Sequence, residues 1–183
     1  MLLPSRAFSY CRTKASPVNP SRIVKNRKSR QEDGIRPRDL AVDFTNYLNW
    51  QLMICVELEA IADSLPVVTN NQAAQKTAEA LPSLLKRAHA FEEDELFPLL
   101  LKNQHITQAF KDTIERLQTE HLGDEDFAQD IHNAIQDYLV EMDRSKAESL
   151  GWMLRGFFEN IRRHIAFERE YILPLAKQIG SNR

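Results

Sequence analysis

An all-α fold, an up-down-up-down four-helix bundle behind a disordered basic N-terminal leader, follows from three features of the sequence. Apolar residues recur at helical spacing in four long runs, and no stretch alternates with period two over a useful length. Glycine is scarce, at 5 residues in 183, while Ala, Leu, Glu, Lys, Arg and Gln are plentiful. A chain of this length suffices for one sizeable core and is short for two.

The leader is placed over residues 1–38, where Pro4, Pro17, Pro20, Gly34 and Pro37 interrupt any periodicity. Residues 1–31 hold eight of the 24 Lys and Arg and no acid, so the remaining 16 face all 26 acids and the body stands at −10. Such a body repels nucleic acid, and none is expected as a partner. The segment lacks the apolar centre of a secretory signal, and its Arg- and Ser-rich, acid-free composition is that of either an organelle transit peptide or a solvated leader. Two cysteines, Cys11 and Cys55, make no disulfide framework, so a cytoplasmic location is the default expectation. No apolar run is long enough to span a membrane.

The first helical run, from about residue 39, places Phe44, Leu48, Leu52, Cys55, Leu58 and Ala62 on one side and ends before Pro66. The second, Gln72 to Lys102, contains Pro82, which predicts a late start or a kink. The third, Thr107 to Glu141, carries Phe110, Ile114, Leu117, Ala128, Ile131 and Ile135 around Gly123. The "DRSKAE" break then offers Ser145 as N-cap with Glu148 completing a capping box, and the fourth run ends near Ile179 with Gly180 as its stop. Helices of about 30 residues would be about 45 Å long, enough to enclose one continuous core.

Polar residues interrupt three of these stripes. In the fourth run His164 and Glu168, one turn apart, replace hydrophobes between Ile161 and Ile172. In the third, His121 is followed by Asp124 or Glu125; in the second, Glu92 and either Ala88 or His89 fall between Leu85 and Leu96. A lone buried carboxylate costs several kcal/mol unless it is paired or bound to metal. Three helices repeating that cost at one level point to a shared cation, and imidazole with carboxylate suits iron, manganese or zinc. The bland alternative keeps each histidine as a hydrogen-bonded core residue and turns Glu168 toward Arg162, Arg163 or Arg169 as a surface ion pair. The acidic run "FEEDE" would then be a solvated face.

"FEEDELFPLL" at 91–100 and "FEREYILPLA" at 167–176 are two copies of one element. With "RRHIAFERE" and "QTEHLGDEDFA", they make the chain resemble the hemerythrin-like family of HHE cation-binding domains, over about residues 40–178. The resemblance implies a bundle over residues 39–180 holding a non-haem iron centre, mononuclear or dinuclear. It carries a ligand set onto His164 and Glu168, His121 and Glu125 (or Asp124), and Glu92 with His89. Two departures stand out: alignment on the prolines puts Ala88 where the second helix should carry histidine, and the first helix reads "NYLNWQ", with Leu48, Asn49 and Gln51 and no histidine. Reversible oxygen carriage in the family relies on five histidines, so the expectation here is a carboxylate-rich site that senses or handles oxygen, peroxide, nitric oxide or iron, not a carrier. His105 and His132 are expected to be structural or exposed. The other class of reading is a metal-free bundle serving as a regulatory or interaction module, with His121, His164 and Glu168 in a satisfied hydrogen-bond network. No nucleophile motif, triad or phosphate loop argues for an enzyme.

Overall fold

The computed structural model describes residues 39–102 and 106–181, with side chains described through Ile179. The expected leader, Cys11 and His105 lie outside the described residues. The described chain is helical, without a strand, and forms the four-helix bundle. The rods are α1 (Leu40–Ser64), α2 (Asn71–Phe91) continuing through a π-turn (Glu92–Leu96) into α3 (Phe97–Leu101), α4 (Gln108–Glu141), and α5 (Ala147–Phe167) continuing through a second π-turn (Glu168–Ile172) into α6 (Leu173–Ser181). Around the bundle α1 packs on α2 and α5, and α4 closes the ring against the other faces of both.

The apolar stripes meet in one core. Phe44, Phe97 and Phe157 are each at most 1% exposed, as are Leu48, Leu58, Leu81 and Leu117. Burial of each such side chain contributes about 1.5–3 kcal/mol before the cost of ordering it. Side-chain caps set the helix starts: Asp39 accepts from the Ala41 and Val42 amides, Asn70 from Ala73, and Thr107 from Phe110. α4 ends at Met142, whose left-handed backbone (φ 52°) lets its N–H bond to the Tyr138 carbonyl at 2.9 Å.

Several local expectations are corrected. The second helix runs from Asn71 straight through Pro82, which excludes a late start. Ser145 is not the cap of the last rod: it lies in a short 3-10 turn (Arg144–Lys146), where its own N–H and Oγ–H donate to Asp143 Oδ1. Gly180 falls inside the final turn of α6 instead of ending it.

The second and fourth runs are not continuous α-helices, and their repeated proline explains why. Pro98 and Pro174 have no N–H to donate, and in an α-helix each ring would press on the carbonyl four residues back. The chain widens instead. The Phe97 N–H reaches the Glu92 carbonyl, and the Leu173 N–H reaches the Glu168 carbonyl, each five residues back. The α-helix then resumes with proline as its second residue, where a missing N–H costs nothing. The two copies of the sequence element are thus two copies of one π-turn, each opening on a glutamate.

Candidate metal centre

Those two glutamates meet. Glu92 and Glu168 are fully buried, and with His121 (1% exposed) and His164 (7%) they form a group in which one ligating atom from each residue lies within 4.8 Å of all the others. His121 Nε2 lies 3.3 Å from Glu92 Oε2, and His164 Nε2 lies 3.3 Å from Glu168 Oε1. Neither contact is aligned as a hydrogen bond; both nitrogens and all four carboxylate oxygens are buried without a partner. Three of the four rods supply donors: the second gives Glu92, α4 gives His121, and the fourth gives His164 with Glu168. His121 stands toward Glu92, from another helix, as His164 stands toward Glu168 within its own.

The outward nitrogens have carboxylate neighbours. His121 Nδ1 is 2.7 Å from Glu93 Oε1, His89 Nδ1 is 3.0 Å from Glu125 Oε1, and His164 Nδ1 is 3.3 Å from Glu120 Oε2. At His121 and His89 a proton on Nδ1, donated to the carboxylate, leaves the Nε2 lone pair bare and pointing inward, the arrangement by which proteins orient metal-binding histidines. His89 shares it: the ring is buried, stacks on His121 with centroids 4.0 Å apart, and has an unpartnered Nε2.

The other residues marked in the sequence fall outside the group of four. Glu125 is about a third exposed and faces the outer nitrogen of His89. Asp124, its neighbour, is the buried one of the two (5% exposed). His132 donates its Nδ1–H to the Ala78 carbonyl at 2.8 Å, a structural role. The ion pairs that would have taken Glu168 to the surface go elsewhere: Arg162 binds Glu59 at 2.6 Å, Arg163 binds Asn160, and Arg169 binds Asn49 at 2.7 Å.

Gln51, in the turn of the first helix where the resemblance implies a histidine, is buried on α1 (1% exposed) with both amide atoms unpartnered. Glu93, which the helix-two pattern offered as a His-x-x-x-Glu partner of His89 in a shifted register, faces His121 instead, and Glu120, which no pattern marked, faces His164. Their signal was adjacency, since each neighbours an inward residue along its own helix.

The electrostatics follow from burial. Loss of solvent, and then the neighbouring Glu168 charge, push the Glu92 carboxyl well above the usual carboxylate range. For Glu168 the same burial is outweighed by the His164 imidazole 3.3 Å away and by Glu92, so its pKa falls. Burial also works to lower His164, but Glu168, Asp124 and Glu120 together outweigh it and raise it. Burial, with the charges of His121 and His164, takes His89 down to about 2 and keeps it neutral.

A donor set of two imidazole nitrogens and two carboxylates fits a transition-metal cation. Two ligands bound at about 2.1 Å can be no more than about 4.2 Å apart, so the 4.8 Å group needs only a small contraction. The unpartnered atoms are the stronger observation: buried polar groups are almost always paired, and here several point at one another across a common centre. No helix among the described residues is long and apolar enough to cross a membrane.

Comparison with known proteins agrees with this architecture. The family model described as hemerythrin HHE cation binding domain matches residues 49–176, spanning all four rods. Neither the curated proteins nor the solved structures gave a match. A bundle of this topology, with inward histidine and glutamate on the matched rods, places the chain in one family: it belongs to the hemerythrin HHE cation-binding domains.

Proposed function

We propose that Glu92, His121, His164 and Glu168 hold a non-haem iron ion, with manganese or zinc as the alternative occupants of the same donors. His89 Nε2 is the next available nitrogen, which allows one metal or an asymmetric pair. Glu125 then acts as the carboxylate that orients His89, in parallel with Glu93 on His121 and Glu120 on His164. The role proposed is sensing or handling oxygen, peroxide, nitric oxide or iron itself. Iron would supply redox chemistry and open coordination positions; the protein supplies fixed donors, a dry surround and carboxylates that hold each ring's outer proton.

The observation that carries this reading is the set of buried, unpartnered atoms: Nε2 of His121 and His164 and both oxygens of Glu92 and Glu168. A metal-free regulatory bundle would be expected to satisfy these groups among themselves, because half-satisfied buried networks are costly. Their lack of alignment favours the cation. Protein produced in iron-supplemented medium and purified without a chelating tag should carry close to one or more iron per chain and an absorption band above the protein's own. Less than about 0.2 metal per chain after supplementation would contradict the proposal.

A further inference from the structure

The seam between α4 and α5 opens into a polar cleft of about 390 Å³ that ends on His164. Glu120 and Asp124 line it from α4, and Asn160 and Arg163 from α5. Glu120 is at the mouth, nearly half exposed, whereas Asp124 is 5% exposed. Arg163 donates to Asn160 Oδ1 at 3.3 Å, and the Asn160 amide in turn donates to Asp124 Oδ1 at 2.7 Å. The other oxygen, Asp124 Oδ2, is buried and has no partner. It is the one carboxylate oxygen in that condition, among the described residues, outside the group of four.

His164 separates this cleft from the buried group and touches both. Its Nδ1 lies 3.3 Å from Glu120 Oε2 on the cleft side, and its Nε2 lies 3.3 Å from Glu168 Oε1 on the inner side. Carboxylate oxygens therefore succeed one another from solvent inward: Glu120, Asp124, then Glu168 behind the imidazole. We propose that this cleft is the route by which a divalent cation reaches the buried group, with Asp124 as the docking carboxylate between solvent and site. The proposal rests on the reading of that group as a metal centre.

An anion is the poorer occupant. It would face Asp124 and Glu120, while the two arginines nearby are already engaged, Arg116 with Glu120 at 3.5 Å and Arg163 with Asn160. The carboxylates on the α2 side, Glu93 and Glu125, are tied to His121 and His89. A cation matches what Asp124 Oδ2 lacks, and a recessed acidic cleft raises local cation concentration and association rate.

Cobalt(II) uptake by the metal-free full chain, followed by stopped-flow through the visible absorption of coordinated cobalt, tests the route. Asp124→Asn should slow initial uptake by about tenfold or more, the low end of what a focusing cleft contributes, while final cobalt per chain stays at the wild-type value. Glu120→Gln, on the surface and safe for folding, should slow uptake less and weaken its dependence on ionic strength; Glu115→Gln, on an exposed part of α4, should leave it unchanged. Wild-type uptake with unaltered rates in both cleft variants would overturn the route and leave the metal centre standing. A final occupancy that falls in step with the rate in Asp124→Asn would make Asp124 a resident ligand and also overturn it. Failure of the wild-type chain to take up cobalt would refute the metal centre itself.

Discussion

Glu92 and Glu168 open matching π-turns on different rods, and each offers its carboxylate to an imidazole 3.3 Å away without forming an aligned hydrogen bond. Such a pair is a liability in a bundle that never meets a cation, because desolvation and mutual repulsion both act on it.

Glu92→Met follows from that relationship. Methionine fills a similar volume and removes the buried acid. The metal-free variant should be more stable than metal-free wild type by about 1–4 kcal/mol, as when other buried ionic groups are replaced by apolar ones. It should retain little metal. Chemical denaturation of both proteins in chelator, beside metal analysis, checks the two effects; a loss of stability would mean that Glu92 is held by hydrogen bonds.

Metal affinity should fall on acidification. Burial and Glu168 raise the Glu92 pKa, and neighbouring acids outweigh burial to raise that of His164, so in the metal-free protein both hold protons to higher pH than free side chains. A bound cation must displace them, so each displaced proton makes the apparent affinity rise about tenfold per pH unit below the relevant pKa. Competition with a chelator between pH 6 and 8, together with titration calorimetry in buffers of different ionisation heat, should show proton release. A flat profile would contradict the assignment of these protons.

His164→Ala should lower metal retention and melting temperature together when measured with metal present. A ligand that binds the native state alone stabilises it by mass action, and that contribution should vanish in chelator. Differential scanning calorimetry with and without metal separates this from any packing loss.

Cys55 should be inert in the native protein. Its side chain is fully buried, and burial pushes the thiol up to about 12, so almost no thiolate exists at neutral pH. In a Cys11→Ser background a thiol reagent should label it only after denaturant is added. Rapid labelling of the native chain would contradict the packing of α1.

Gly123→Ala and Gly156→Ala should each stabilise the chain by about 0.8–1.0 kcal/mol through helix propensity. A Cβ at either position meets no atom within 4 Å, so no steric cost offsets the gain. Thermal unfolding of the two variants checks this.

The bundle was legible because its core stripes are long and regular; Phe44, Leu48, Leu58, Ile114, Leu117 and Leu154 are all buried as the 3.6-residue period requires. The inward polar residues were legible as interruptions of those stripes. What periodicity does not resolve is the choice between adjacent residues at the edge of a broad face. Ala88 and His89 are both buried, and Asp124 faces inward where the family's spacing favoured Glu125. The π-turns were present in the sequence as a repeated proline, but whether a proline kinks, widens or starts a helix depends on what the turn must present inside.

Anomalous diffraction at the iron edge, from crystals of the iron-loaded protein, tests the central claim most directly. The expected result is a peak within about 2.2 Å of the Nε2 atoms of His121 and His164 and of a carboxylate oxygen from each of Glu92 and Glu168. A peak elsewhere in the molecule, or none in protein shown to contain iron, would contradict it.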